Sequence, residues 1–411
     1  TTQGERVAVK LSEQLPAGKE TDMSSESRID GQPGEAPLLV MLPYASMSGL
    51  ELFGVRFCLD LQSRGIPVVL AAPRDSLLHR TCLERQVNWV EMPVGPRLDP
   101  LALPRIYRLL RTLKPCAAVG FRTHVMYPFH LARLLTGQRC PLFLFYRLGA
   151  GNYQRRDPLH RVLFKHLAAV IPNSDHVKNK ILAKWAIAPE KVVCIKSGID
   201  TRKYRPDAER RSAFRKSVGV PDEAFLIGST GRIHPEKGSE DLLRALYGPG
   251  GAAVHRPDVH LVYVGREYQA GYADRLKAMA RRFDAETRFH LAPFRAEVEA
   301  VYPAFDLFTL AVTSHETYAY VVLEAMACGV PPLIPATGGL KEMVRPGVDG
   351  FLYPHRDQEA LRRELATVMQ HPARLEKIGR AARAWIEREA DWDQMMERYL
   401  AVFRQQRVEI G

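Results

Sequence analysis

The 411-residue chain contains no apolar run approaching the ~20 residues that a helix needs to cross a bilayer. Its N-terminus also lacks the charged-then-apolar order of a secretory signal. Six cysteines (Cys58, Cys82, Cys116, Cys140, Cys194 and Cys328) are scattered without paired spacing, which argues against a disulfide scaffold. Reduced thiols in a cytoplasmic protein are the expectation. Acids are scarce in one stretch. From Leu101 to Lys180 there are fourteen Lys or Arg against Asp157 and Asp175, and this excess of twelve equals the net charge of the whole chain. A basic region so concentrated implies an anionic partner such as a phospholipid surface, a phosphorylated acceptor or a nucleic acid. A solvated face without a partner is the plain alternative.

What remains is ordinary globular composition, long enough for two or three domains. Residues 1–36 are polar, rich in Ser, Gly, Glu and Pro, and read as a flexible leader, with Met23 a candidate natural start. From Pro37 short apolar runs alternate with helical periodicity. Strands are expected at Leu38–Leu42, Val68–Ala71, Cys116–Phe121, Pro141–Tyr146 and Leu167–Ile171, with helices over about Leu50–Arg64 and Arg105–Lys114. A second series follows a polar junction at Thr201–Pro206. Its strands are expected at Ala224–Thr230, Val259–Val264, Arg288–Leu291, Leu307–Val312 and Pro332–Pro335. Helices are expected at Ser239–Leu246, Tyr272–Phe283, Tyr320–Cys328 and Trp392–Arg407. Strands separated by helices imply α/β architecture with parallel sheets. The division is 37–203 for an N-terminal domain and 204–388 for a C-terminal domain, with 389–411 as a closing helix. Two doubly wound, Rossmann-like domains facing each other place ligands at the carboxyl ends of their strands, in one cleft.

Two loops carry chemistry. Arg232 and Lys237 follow a strand and are bracketed by Gly231 and Gly238, which permit tight turning. Two cations there can hold a diphosphate and stabilise its charge as it leaves. A surface turn that binds nothing is the alternative. Glu316 precedes a helix N-terminus and Glu324 lies about two turns further on, inside that helix. Free first-turn amides attract anions, and carboxylates accept bonds from sugar hydroxyls. Glu316 as a helix cap and Glu324 as a satisfied helix-face residue are the plainer readings.

Together these segments resemble the retaining glycosyltransferase family 4, also called glycosyltransferase group 1, of GT-B fold. Gly231-Arg232…Lys237-Gly238, the Glu316 to Gly329 segment, Gly339-Leu-Lys-Glu342, Gly347-Val-Asp-Gly350 and Ser197-Gly-Ile-Asp200 match its motifs in order. The likeness spans about 37 to 405 and is strongest past Pro172. It implies a last helix that crosses back to the N-terminal domain. It implies that Arg232 and Lys237 bind the donor diphosphate, that Glu316 contacts the sugar, and that Glu324 holds the ribose. Phosphate oxygens would meet amides around Tyr318, Ala319, Tyr320 and Val321. It further implies retention by front-face attack, with no metal and no cofactor, the nucleoside-diphosphate sugar (a UDP-sugar favoured) being substrate.

The sequence departs from the family pattern in places. Ala319, after Tyr318, stands where a glycine is usual. The N-terminal glycine loop reads Ser48-Gly49-Leu50-Glu51, which puts Gly49 beside the donor phosphate. Arg147 replaces a frequent histidine, and either Arg147 or His124, with Arg122 near it, is the acceptor-side or cleft residue. The basic N-terminal domain implies an anionic acceptor, lipid-linked or cell-envelope glycan such as lipopolysaccharide core, met at the cytoplasmic face of the membrane. No nucleic-acid module appears. The alternatives are another GT-B enzyme (phosphorylase, sugar-phosphate synthase or epimerase) and a binder of anionic polymers.

Overall fold

The computed structural model describes residues 36–43, 49–92, 102–147, 154–314 and 316–408. The polar leader up to residue 35, Ser48 of the glycine loop and His315 lie outside the described residues. Two parallel six-stranded sheets organise the chain. The first contains β1 (Leu38–Met41), α1 (Gly49–Ser63), β2 (Val68–Ala72), α2 (Leu77–Glu84), β3 (Trp89–Glu91) and α3 (Ala102–Leu113). It continues with β4 (Ala117–Gly120), α4 (Met126–Thr136), β5 (Leu142–Tyr146), α5 (Pro158–Lys165), β6 (Leu167–Pro172) and α6 (Asp175–Lys184). The strand order is β3-β2-β1-β4-β5-β6. Parallel strands covered by crossover helices are buried on both faces, and Leu38 to Met41 have no exposed surface. On one face Phe53, Phe57, Cys58 and Leu61 of α1 pack with Phe121 and Phe145. On the other, Ile106 and Leu110 of α3, Phe129 of α4 and Phe164 of α5 pack together.

The second sheet follows α7 (Ala208–Val218) and contains β7 (Phe225–Thr230), α8 (Ser239–Tyr247), β8 (Val259–Gly265), α9 (Tyr272–Arg282), β9 (Phe289–Pro293) and β10 (Leu307–Thr309). After α10 (Tyr320–Ala327) come β11 (Pro332–Pro335), β12 (Phe351–Tyr353), α11 (Gln358–Met369), α12 (Pro372–Glu389) and α13 (Trp392–Gln405). Its order, β12-β11-β10-β7-β8-β9, repeats the first sheet's winding. In each sheet the first and fourth strands are neighbours and the winding reverses between them. Loops leaving those two strands diverge to opposite faces and open a crevice at their carboxyl ends. The switch points are β1/β4 and β7/β10.

The chain passes between domains twice, side by side. Ile199 N–H donates to Ala390 O at 2.8 Å and Trp392 N–H donates to Ile199 O at 2.9 Å. A β-carbon on Gly198 would lie 2.7 Å from Asp391 O, so only glycine fits the crossing. α13 then lies on the first sheet's helical face, where Trp392, Met396, Tyr399 and Phe403 join Phe53, Phe57 and Phe145. Their three-and-four spacing makes the apolar stripe that docks there. The last helix thus returns to the N-terminal domain, as expected.

One expected strand is shorter than its apolar run. Leu307–Val312 reads as continuous, yet pairing stops at Thr309. From Leu310 the chain bends toward the Lys237 loop, where Thr313 N–H donates to Glu236 O at 3.0 Å. Leu310 N–H still donates to Leu333 O at 3.3 Å, and Ala311 and Val312 stay buried beyond the strand's end.

Candidate active site

The loops that leave β7 and β10 bound the second switch point, and they carry the charged candidates. Gly231 closes β7 with φ +134, a conformation open to glycine, and an added β-carbon there would meet nothing within 4 Å. The loop then forms a short 3-10 turn, Pro235–Lys237. Gly238 presses on Ala311, where a β-carbon would fall 1.7 Å from the carbonyl oxygen. Tyr263 Oη donates to Lys237 O at 3.2 Å. Backbone contacts therefore fix the base of Lys237. Its Nζ reaches Glu316 Oε1 at 2.5 Å, and the two side chains are 20% and 25% exposed.

Glu316 is held from behind by the glycine pair of the next loop. Gly339 N–H donates to Glu316 O at 3.1 Å. β-carbons on Gly338 and Gly339 would fall 2.0 Å from Glu316 O and 1.7 Å from Thr317 O. Arg232 extends outward, exposed, with its guanidinium 4.8 Å from the Tyr268 ring centroid. Among the described residues it forms no contact with Lys237 or Glu316, although it shares their loop and cleft.

α10 begins at Tyr320 after Ala319, which supplies no side-chain cap. Its first-turn amides at Tyr320 and Val321 are therefore left for an outside acceptor. Tyr318 is buried, its hydroxyl has no hydrogen-bond partner, and burial pushes its pKa up. Glu324, one helical turn on, is partly buried. Its Oε1 accepts from Tyr204 Oη at 3.2 Å and its Oε2 from Tyr302 Oη. Tyr302 Oη also meets Thr230 Oγ1 at 2.8 Å. Burial raises the Glu324 carboxyl above its usual range, against the two tyrosine donors, which pull it down. Burial and then the Glu324 charge push both tyrosines upward, so they stay protonated as donors. Each carboxylate oxygen keeps one lone pair for a ligand hydroxyl.

The N-terminal candidates gather at the first switch point. Gly49 opens α1 after β1, exposed, with open space where a β-carbon would stand. Arg122 and His124 lie in the half-buried turn after β4. Arg147 follows β5 and is the residue that ties the domains. Only 7% exposed, it donates to Ser197 Oγ at 2.5 Å, Tyr320 Oη at 2.6 Å and Tyr399 Oη at 3.2 Å. Its guanidinium lies 3.8 Å from the Phe53 ring centroid. Thr317 Oγ1 donates to Arg147 O at 3.3 Å.

Glu342 makes a second tie. Its carboxylate accepts from Asp175 N–H at 2.8 Å and His176 N–H at 2.5 Å, capping α6 of the other domain. Tyr204, Tyr302 and this capping role were not found by sequence reasoning. Tyr204 sits in the segment read as a polar junction, and its aromatic ring was the available signal.

Two charged loops on a C-terminal doubly wound domain, opposed across a cleft by a second such domain, define a two-domain α/β protein of the doubly wound class. Residues 210–385 match the family model "Glycosyl transferases group 1" and residues 47–203 match "Glycosyltransferase Family 4", most of the chain between them. The chain belongs to this family of glycosyltransferases. It is 31% identical over 262 residues to D-inositol 3-phosphate glycosyltransferase of Segniliparus rotundus, covering 60% of this chain and 56% of that protein. It is 31% identical over 209 residues to a GDP-mannose-dependent monoacylated alpha-(1-6)-phosphatidylinositol monomannoside mannosyltransferase of Corynebacterium glutamicum, covering 49% and 53%. The chain thus spans about half the length of the curated relatives it matches. Among solved structures, HepE of Anabaena in complex with UDP superposes with TM-score 0.76 at 21% identity, covering 90% of this chain and all of that one. A glycosyltransferase from Rickettsia africae superposes with TM-score 0.81 at 16% identity, covering 92% and 100%.

Proposed function

We propose that this protein transfers a sugar from a nucleoside-diphosphate sugar to an anionic, lipid-linked or cell-envelope glycan acceptor, with retention and without a metal. The observation that carries the reading is the contact between Lys237 and Glu316 at the β7/β10 switch point, beside the uncapped start of α10. Lys237 and Arg232 neutralise the diphosphate as it departs. First-turn amides of α10 take its oxygens, and Glu316 accepts from a hydroxyl of the transferred sugar. Glu324, poised between Tyr204 and Tyr302, accepts from the ribose. The work of the protein is positioning and charge stabilisation. In front-face retention the departing phosphate oxygen accepts the acceptor's proton, so no covalent nucleophile is required.

A relative uses GDP-mannose and a neighbour of like fold holds UDP. UDP-sugars are the first donors to test and GDP-sugars the second. The two relatives' acceptors, an inositol phosphate and a phosphatidylinositol glycan, are both anionic. That agrees with the basic N-terminal domain and favours an acceptor presented at the cytoplasmic membrane face. The test is a thermal-shift screen against UDP, GDP, ADP and their sugars, followed by the anomeric configuration of the product. Stabilisation by one nucleotide class is expected, and failure of all of them to bind would refute the reading.

A further inference from the structure

The outer surface of α3, α4 and α5 combines two features that the sugar-transfer reading does not use. Of the eleven exposed large apolar side chains among the described residues, five lie on α4 and α5: Leu131, Leu134, Leu135, Leu159 and Val162. Leu134 is 69% exposed. The spacing 131, 134, 135 and 159, 162 puts each set on one stripe, opposite the residues these helices bury, such as Phe129 and Phe164. The helices are neighbours: Tyr127 Oη meets His160 Nε2 at 2.9 Å, and the His130 and His166 rings are 6.0 Å apart. Such clustering of bare apolar groups marks an interaction surface.

The second feature is uncompensated charge. Arg108, Arg111, Lys114, Arg139, Arg161 and Lys165 belong to the same layer, and none forms an ion pair with a described carboxylate. Elsewhere many arginines are matched, although some, such as Arg80, Arg85 and Arg282, pair with no described carboxylate either. Arg362 pairs with Glu359, Arg380 with Glu376, Arg383 with Glu387 and Arg64 with Glu397. Asp157 is the single acid between residues 102 and 166. Exposed leucines on a layer that also carries exposed cations suit a surface that is apolar below and negative above.

We infer that the α3–α5 face docks on an anionic lipid bilayer, with its leucines among the acyl chains and its cations on the headgroups. This deepens the reading of a membrane-presented acceptor, yet it rests on a surface separate from the donor loops. The two ideas can therefore fail independently.

The test is co-sedimentation with vesicles of phosphatidylcholine containing graded phosphatidylglycerol. Binding should rise with the anionic fraction and weaken steeply at high salt. Leu134→Ser with Leu135→Ser should lower partitioning at least about tenfold. Arg139→Glu with Lys165→Glu should lower it roughly fivefold per charge removed. Nucleotide-induced thermal shifts should be unchanged in all of these variants. Wild-type protein that ignores anionic vesicles, or variants that bind as wild type does, would overturn the inference. So would light scattering that shows a dimer split by the leucine pair, since a second copy would then own the face. Gel shifts with nucleic acid that are lost in the charge variants, with no vesicle binding, would also overturn it. Vesicle binding without nucleotide binding would keep this surface and sink the donor reading.

Discussion

Replacing Lys237 by methionine keeps the aliphatic stem and removes the charge that faces Glu316 at 2.5 Å. The expected cost to the fold is small. Both side chains are partly exposed, and pairs of that kind contribute about 0–1 kcal/mol. The backbone around residue 237 is held independently, by the fit of Gly238 against Ala311 and by Tyr263 Oη. The expected cost to catalysis is large. A fixed positive group aimed at developing charge in a cleft is worth ~2.7–4 kcal/mol, or about 10²–10³ in kcat. The assay is nucleoside diphosphate release at saturating donor, with the thermal midpoint as a control for folding. Lys237→Met should lose at least about a hundredfold in kcat with a nearly unchanged midpoint. Because Lys237 and Glu316 touch, Lys237→Met with Glu316→Gln should cost clearly less than the sum of the single losses. A Lys237→Met enzyme within a few-fold of wild type, with its fold intact, would refute the argument that this contact is the centre of the site.

Removing the Glu342 carboxylate (Glu342→Ala) strips the first two amides of α6 of their acceptor, while Ser174 still caps the third, and cuts a tie between domains. The cap alone is worth ~1 kcal/mol. A lower thermal midpoint and a larger radius of gyration in solution scattering are expected, and no change in either would dismiss the tie. Arg215 is fully buried, paired with Asp306 at 2.7 Å and bonded to four backbone carbonyls, among them Ala304 O and Ala224 O. Arg215→Met should cost ~3–5 kcal/mol in urea unfolding, and a loss below about 1 kcal/mol would contradict that role. His130 titrates at about 4, lowered by burial first and then by Arg133 and His166. With an unfolded value near ~6.5, the unfolded chain takes up a proton between the two values while the folded chain does not. The stability present above about pH 6.5 is therefore lost as pH falls toward 4, by up to ~3 kcal/mol. The thermal midpoint should drop across that window and drop less in His130→Phe; equal slopes in the two proteins would refute the assignment.

The alternation of apolar runs with helices made both sheets readable, since parallel strands must be apolar on both faces. Strand length was less readable. Hydrophobicity records burial rather than pairing, and Ala311 and Val312 are buried beyond the end of the strand. The helices missed on the way carried their own signals. Ser174, Asp207 and Asp357 each accept a bond from the amide three residues on, at the starts of α6, α7 and α11. Those starts were legible as capping residues. Local motifs exposed the Lys237 and Glu316 loops because glycines and charges repeat at fixed offsets. Tyr204 reaches Glu324 across 120 residues, and Glu342 reaches Asp175 across 167. No local pattern encodes such meetings; they depend on how two domains face each other.

That facing bears on when the proposed donor pocket is assembled. Thr317, next to Glu316, donates to Arg147 O, and Tyr320, the first residue of α10, accepts from the Arg147 guanidinium. Both ends of the donor loop are thus bonded to the N-terminal domain, and Glu342 bonds the same domain from the neighbouring loop. Arg147 itself is buried, and it is satisfied by three hydroxyls and an aromatic face with no described carboxylate to balance its charge. A buried cation beside the positive end of α10 raises the local preference for an anion. Opening the cleft would break the Arg147–Tyr320, Thr317–Arg147 and Glu342 bonds together, and would expose that charge to water while Arg147 kept Ser197 and Tyr399. If the cleft takes a diphosphate as proposed, domain closure and assembly of its site are one event, and a diphosphate that prefers the assembled site must also draw the two domains together.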